Sequence, residues 1–478
     1  MSTVARLSLA SRLLFGVGAA AEGTKNTAFN LFLLFYYNQV LGVSGTTAGT
    51  AIFLALCVDA LVDPLIGSLS DGWRSRWGRR HPFMYAAPLP MAVSFCLVFQ
   101  PPGGLSEMAL GAWLFVFAVG VRVSMTLYLL PSNALVPELA PGYDDRTSLI
   151  AWRYLFGWLG AITVSQLGYL HFFASPDDGA TDGRLLASGY HGFGIACAAI
   201  VASSILASSL GTHALIPRLR QPAEARRFTA RRFAAEVREI LATRSFRVLL
   251  GAALFASVAI GFNEATGLYV NTYFWELRTD QIAVLVYGLV ASVLLGVVVV
   301  RPITERFDKK RSALGLAVLA LVAGPCLIFL RLAGWMPPNG HAWLLPILFV
   351  RDVLLVTCVV AIGVITSSML SDVADESELH TGKRQEGLFM ATIALTGKAT
   401  TGLGSLLAGV VLDQIGFPRA AEPGSVPADR VIALGLAVGP GVLTLYLVTL
   451  AFLSRYPITR ERHREIVGRI EQRRASGA

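Results

Sequence analysis

Two aspartates one helical turn apart, Asp59 and Asp63, lie inside an apolar stretch, residues 46–69, that is long enough to cross a bilayer. Residues four positions apart share one helix face, so both carboxylates are expected to point the same way. A charge at membrane depth costs about 2.5 kcal/mol or more, and two like charges also repel each other. We therefore expect this pair to bind a cation, share a proton or meet a buried base, with a purely internal salt bridge as the alternative.

The composition is that of a helical membrane protein. Of 478 residues, 54% are hydrophobic and 15% charged, and the mean hydropathy is +0.59. The apolar runs predict about twelve transmembrane helices, an all-α integral membrane fold. The predicted spans are residues 13–40, 46–69, 83–100, 108–134, 149–172, 190–211, 248–273, 281–300, 312–333, 343–370, 386–413 and 429–453. All five cysteines fall inside these spans, so we expect neither disulfides nor a metal site.

The net charge of +9 reflects topology. Most of the 40 Lys and Arg residues fall in the termini and in the loops on one side of the predicted membrane. This asymmetry predicts that both ends are cytoplasmic and excludes a nucleic-acid partner. The expected location is a bacterial inner (plasma) membrane. The lipid bilayer is the expected environment, and a monomer the expected state.

A basic segment divides the chain into two halves. Residues 213–247 contain nine arginines, and Phe228 and Phe233 lie on one side of a helical pattern. We interpret the segment as an amphipathic linker on the cytoplasmic leaflet. The predicted domains are a six-helix bundle (1–212), the linker (213–247), a second six-helix bundle (248–455) and a cytoplasmic basic tail (456–478), which is the major facilitator architecture.

Two loops repeat a charge pattern at equivalent places in the halves. Asp71 precedes a basic cluster after the second span, and Asp308 precedes Lys309, Lys310 and Arg311 after the eighth. We expect a cytoplasmic latch between helix ends that breaks as the halves rock. The residues assigned to this latch are Asp71, Arg76, Gly78, Arg79, Arg80 and Arg384.

Three segments carry a resemblance to a known family. They are VDALVDPLIGSLSDGWRSRWGRRHPF, PSNALVPELAPGYDDRTSLIAWR and SDVADESELHTGKRQEGLFMATIALTGKA, in this order along the chain. Together they are similar to motifs of the glycoside–pentoside–hexuronide:cation symporters. The resemblance implies cation-coupled transport of a small polar solute by alternating access, without a cofactor.

The resemblance also implies roles for single residues. Asp59 and Asp63 match the family's paired cation-binding aspartates, and Thr126 falls where the family has a cation-site threonine. Lys398 matches a lysine that approaches the pair from the other half. Arg153 matches an arginine near the cytoplasmic end of span five.

Two departures from the family pattern bear on the coupling ion. Val62 stands where sodium-using members commonly have an asparagine, and it offers no oxygen ligand. Arg122 lies one turn before Thr126 and would place a fixed positive charge near the aspartates. Both departures favour H+ as the coupling ion, with Na+ at Asp59 and Asp63 as the alternative.

The substrate is the least constrained part of the prediction. The family's sugar-binding aspartates fall at Gly23 and Leu129 in this chain. Polar side chains within the spans are the candidates for binding the substrate instead: Glu22, Lys25, Asn26, Asn30, Asn133, Arg153, Asn263 and Glu264. A sugar, glycoside or uronide is expected, and a lysolipid or other amphiphile is the alternative.

Other classes of function fit less well. We find no HExxH, GxSxG or P-loop motif, and the seven histidines are scattered, so an enzyme is not predicted. A non-transporting assembly factor on the same fold would tend to lose its buried charges, whereas Asp59, Asp63 and Lys398 are all present.

Overall fold

The computed structural model describes residues 7–140, 142–176, 182–219, 237–382 and 386–475, and every regular element within these ranges is a helix. The first half contains α1 (Leu9–Val17), α2 (Ala19–Thr27), α3 (Gly45–Gly72), α4 (His81–Ala86), α5 (Pro88–Val98), α6 (Glu107–Leu139), α7 (Tyr143–Leu167) and α8 (Ala187–His213). The second half contains α9 (Arg244–Tyr269), α10 (Thr279–Phe307), α11 (Lys309–Leu332), α12 (Leu344–Thr381), α13 (Glu386–Gln414), α14 (Ala428–Leu436), α15 (Val442–Ser454) and α16 (Arg460–Ala475).

Several helices join into longer membrane segments. Within the described ranges, ten helical stretches are long and apolar enough to cross a membrane. Two further stretches have the length but more polar residues: α1 and α2 continue through π-helical turns to Val40, and α7 continues to Phe172. The predicted all-α fold of about twelve spans is confirmed.

Some helix ends differ from the prediction because charged residues extend apolar spans. Helix α6 continues to Leu139 rather than residue 134, and α12 continues to Thr381 rather than residue 370. The tail predicted from residue 456 contains a helix, α16, with Ile466 and Ile470 buried. Hydropathy alone does not detect such ends, because their stability comes from ion pairs and docking.

The chain forms two compact units. The first comprises Met1–Phe228 together with Ser405–Ser425. Here Asp413 accepts hydrogen bonds from the backbone N–H groups of Gly45 and Thr46, at 3.0 and 2.7 Å. A carboxylate at this helix N-terminus stabilises exposed N–H groups and the positive end of the helix dipole.

The second unit comprises Thr229–Gly404 and Val426–Ala478. Helix α9 packs on α15, and α10 packs on α12, as α3 packs on α6 in the first unit. The second and fourth spans of each half thus form equivalent pairs. Most of the basic linker, residues 220–236, lies outside the described residues, so its amphipathic helix with Phe228 and Phe233 stays a prediction.

Candidate functional site

Helix α3 carries the aspartate pair on one face. The helix begins at Gly45, where the Ser44 side chain accepts a hydrogen bond from the Thr47 N–H, and it continues through Pro64. Asp59 is buried, with 3% of its surface exposed, and Asp63 is half-buried. Because α3 packs along α6, the next contacts of the pair come from α6.

Thr126 on α6 bridges the two carboxylates. Its hydroxyl oxygen lies 3.0 Å from Asp59 Oδ1 and 2.8 Å from Asp63 Oδ1. The three side chains therefore present three oxygens around one point inside the first unit. The sequence placed Thr126 here only through the family resemblance.

Arg122 lies beside the same cluster, as its spacing from Thr126 suggests. Its Nη1 is 3.9 Å from Asp59 Oδ2, and its guanidinium lies over the Phe29 ring, 5.5 Å from the ring centroid. Only 5% of the residue is exposed, and its Nε has no hydrogen-bond partner in the described structure. A fixed positive charge thus faces one carboxylate of the pair.

Asp59, Asp63 and Thr126 are the residues whose side-chain oxygens are described at this point. Val62, beside the pair in sequence, adds no oxygen. Among the described residues no group of three or more His, Cys, Asp and Glu side chains could hold a metal ion. Hard cations such as Na+ prefer several oxygen ligands.

The first helices present a polar face. Glu22, Asn26 and Asn30 follow one another at four-residue spacing and make no hydrogen bond within the described part of the chain. Asn26 is exposed, Glu22 and Asn30 are half-buried, and Lys25 lies on the neighbouring face. These four predicted binding residues therefore belong to one polar region of the first unit.

Arg153 has partners that the sequence did not indicate. Its guanidinium donates to Ser132 Oγ and to Asn133 Oδ1, both at 2.7 Å, and lies 5.2 Å from the centroid of the Phe15 ring. Arg153 and Asn133 form a preorganised donor group between α7 and α6.

The packing around Gly23 explains why this chain has no aspartate at that position of the first span. A Cβ at Gly23 would lie 1.9 Å from the carbonyl oxygen of Gly157, and one at Gly160 would lie 2.4 Å from that of Ala20. Residues 19–27 thus approach α7 backbone to backbone. No side chain fits at Gly23 without separating these helices.

The remaining predicted residues lie in the second unit. Asn263 and Glu264 are half-buried on α9, and the Asn263 amide donates a hydrogen bond to the Tyr446 hydroxyl on α15, at 2.9 Å. Lys398 is half-buried on α13. The sequence did not single out Tyr446, because one tyrosine in an apolar span carries no motif.

The predicted latch residues of the first half contact the end of α6. Arg80 lies 3.6 Å from Asp71 and 2.7 Å from Glu138, which also pairs with Arg79. Arg76 instead lies over the Trp77 ring, and Gly78 has a φ of +74°, which favours glycine. Arg384 lies outside the described residues. Glu138, which the sequence analysis missed, is the main acid of this cluster.

The second half has a matching cluster. The Lys309 side chain pairs with Asp372 of α12, whereas the adjacent Asp308 accepts a hydrogen bond from the Lys309 backbone N–H and caps α11. His463 of α16 lies 3.4 Å from Asp372 and 3.1 Å from Asp375. Arg460 of α16 donates to the Thr304 carbonyl near the end of α10, at 2.6 Å. The C-terminal helix is therefore docked on the ends of α10 and α12.

Comparison with known proteins finds relatives that match most of the chain. An uncharacterized symporter of Synechocystis is 28% identical and covers 98% of this chain and 97% of its own. The isoprimeverose transporter of Lactiplantibacillus pentosus is 24% identical, over 82% of this chain and 78% of its own. The sodium-dependent lysophosphatidylcholine symporter 1 of Gallus gallus is 22% identical, over 96% and 88%.

The family assignment rests on nearly the whole chain. The model of the family described as MFS/sugar transport protein matches residues 14–460, which include the aspartate pair, Thr126, Arg153 and Lys398. The resemblance inferred from the three motifs is confirmed. This multi-pass membrane protein belongs to the MFS/sugar transport protein family, a family of transporters.

Proposed function

We propose that this protein is a proton-coupled symporter of a small polar solute, namely a sugar, glycoside or uronide. The observation that carries the proposal is the position of the Thr126 hydroxyl, within hydrogen-bonding distance of both Asp59 and Asp63. These three side chains form the coupling site, and Arg122 sets its charge.

The hydrogen count at Thr126 favours a bound proton. A hydroxyl carries one hydrogen, so it can donate one full hydrogen bond, and sharing that hydrogen between both carboxylates would weaken each contact. The second short contact is a hydrogen bond when the other carboxyl is protonated and donates to Thr126 Oγ1. The geometry therefore fits a pair of aspartates that shares one proton.

The charge count leads to the same ion. Asp59 and Asp63 together carry two negative charges, and Arg122, 3.9 Å from Asp59, supplies one positive charge. While the proposed countercharge Lys398 is not engaged with the pair, one proton makes this group neutral, as burial in a membrane favours. A sodium ion would add the same charge, but Val62 supplies no oxygen ligand beside the two carboxylates and the Thr126 hydroxyl.

The transport cycle we propose is alternating access in a monomer of a bacterial plasma membrane. Two six-helix bundles, with boundaries as predicted, would rock about the substrate while both termini and the basic linker stay cytoplasmic. The role of Lys398 as countercharge rests on the family resemblance. Cysteine labelling tests the topology: residue 228 should react from the cytoplasmic side, and reaction from outside the cell would contradict it.

The substrate class is supported by the polar residues and by one relative. The region of Glu22, Lys25, Asn26 and Asn30 and the Arg153–Asn133 group offer the donors and acceptors that sugar hydroxyls need. A relative named as an isoprimeverose transporter points to the same class. The family's sugar-binding aspartate of the first span falls at Gly23, where no side chain fits. This chain must therefore contact the sugar through other residues.

A lysolipid symporter is the second candidate, because a relative is named as a lysophosphatidylcholine symporter. Uptake into membrane vesicles distinguishes the two, with an imposed proton or sodium gradient and radiolabelled glycosides or lysolipids. We expect glycoside uptake driven by the proton gradient. Sodium-driven uptake that ignores the proton gradient would refute proton coupling, and uptake of lysolipid alone would refute the sugar assignment.

A further inference from the structure

Glu264 is a membrane-embedded carboxylate on α9 whose charge is not compensated within the described structure. It lies inside the membrane span Arg244–Phe274 and forms no hydrogen bond or ion pair with any residue that the structure describes. An ionised carboxylate can accept about four hydrogen bonds, and leaving it unpaired at membrane depth is costly. A partner from outside the chain would remove that cost.

A tyrosine and an amide lie next to this carboxylate. Asn263 Nδ2 donates to the Tyr446 hydroxyl oxygen at 2.9 Å, and Glu264 is an electrostatic neighbour of the same phenol. Because the phenol oxygen already accepts the amide hydrogen, its own hydrogen is left to donate elsewhere. The group therefore offers a strong acceptor, Glu264, beside an oriented donor, Tyr446.

One side of the helix face that carries Glu264 is open. A Cβ added at Gly267, one turn further along α9, would meet no atom within 4 Å, and Ile260, one turn before, is 37% exposed. The other side of this face is closed: a Cβ at Gly261, three residues before Glu264, would lie 2.1 Å from the carbonyl oxygen of Thr401, so Glu264 lies at the border between the packed and the open side of α9. A carboxylate on an open face at this depth fits a water-filled or ligand-filled space better than lipid.

We propose that Glu264, Tyr446 and the open face at Gly267 form a substrate subsite that binds two neighbouring hydroxyl groups of a neutral sugar ring. This inference rests on the proposed sugar transport and narrows it. The Glu264 carboxylate accepts hydrogen bonds from both hydroxyls, and the Tyr446 hydroxyl donates to one of their oxygens. The same negative charge repels the carboxylate of a uronide, so neutral glycosides are preferred.

Binding to the purified protein, measured by calorimetry and by thermal stabilisation, tests the subsite without transport. The probes are methyl β-glucoside, methyl β-xyloside and methyl β-glucuronide; the first and last differ only in a hydroxymethyl group against a carboxylate. We expect the neutral glycosides to bind at least tenfold more tightly than the glucuronide. Equal or tighter binding of the glucuronide would overturn the proposal.

Two variants test whether glycosides bind at Glu264 and Gly267. Glu264→Gln should weaken binding of the neutral glycosides by about tenfold or more, because hydrogen bonds to a charged group are lost. Gly267→Leu should block binding by filling the open face. Since a Cβ there meets nothing, its melting temperature without ligand should be unchanged, and Gly315→Leu on α11, also at an open position, is the matched control.

The outcomes separate this inference from the proposed function. If the unmodified protein binds and transports no glycoside, the proposed function and the subsite both fail. If it transports a neutral glycoside with protons while Glu264→Gln and Gly267→Leu bind that glycoside normally, the subsite alone is refuted. Loss of binding in both variants, with normal binding by Gly315→Leu, supports it.

Discussion

The ammonium group of Lys309 lies 2.7 and 2.8 Å from the two carboxylate oxygens of Asp372. In the first half, Arg80 lies 2.7 Å from Glu138. In both halves, a basic residue after the second span therefore pairs with an acidic residue near the end of the fourth span. Each unit thus attaches its own loop to its own fourth span.

Glu138→Gln should destabilise the protein strongly. It leaves Arg79 and Arg80 facing a neutral group, and the Arg80 side chain is only 7% exposed. Breaking a buried pair by removing one partner costs about 3 kcal/mol or more. Thermal unfolding of purified protein should show a clear fall in melting temperature. Asp71→Asn is the control, since Asp71 is 55% exposed and 3.6 Å from Arg80, and a drop of equal size there would contradict this argument.

Asp59→Asn and Asp63→Asn should each abolish accumulation of substrate against a gradient while sparing exchange. Exchange needs only the loaded carrier to reorient, whereas accumulation needs protons to bind and leave. Thr126→Val should impair accumulation as well, because it removes the bridging hydroxyl. Paired assays of proton-driven uptake and of counterflow in vesicles check this. Full accumulation by Asp63→Asn would exclude the pair as the coupling site.

Val62→Asn should raise the sodium response, most clearly with Arg122→Gln in the same chain. The asparagine adds an oxygen ligand, and the second change removes the fixed charge 3.9 Å from Asp59. Uptake is measured with sodium or potassium at constant proton gradient. Each single variant serves as a control, and an absent sodium response in the double variant would mean that ligand number does not select the ion here.

Acid should weaken the loop before α8. Burial would raise the pKa of Asp182, but the hydrogen bonds and charge of Arg184 outweigh burial and hold that pKa below its ordinary value. The stabilisation is therefore present above the ordinary pKa of aspartate, about 4, and is lost as pH falls through the lower folded-state pKa. Asp182→Asn should lower the melting temperature at neutral pH, and the difference from the unmodified protein should narrow in acid. A constant difference would contradict this.

The sequence predicted those features that local spacing encodes. The shared face of Asp59 and Asp63, and the position of Arg122 one turn from Thr126, follow from helical periodicity. The role of Glu138 was not predicted, because its pairing with Arg79 and Arg80 joins segments that are far apart in the sequence. No local sequence pattern indicates such a contact. The sequence analysis did not predict helix α16 within the basic tail because the segment is mostly charged, although Ile466 and Ile470, four residues apart, mark its buried face.

Gly23→Ala should destabilise the first unit although it adds one methyl group. The new Cβ would lie 1.9 Å from the Gly157 carbonyl oxygen, and backbone cannot yield as a flexible side chain can. Overpacking of this kind costs about 1–3 kcal/mol. Gly363→Ala on α12 is the matched control, because a Cβ there meets nothing within 4 Å and alanine favours helix, so its melting temperature should stay equal or rise. An unchanged melting temperature for Gly23→Ala would mean that the two helices can separate at little cost, and an aspartate at this position would then also be tolerated.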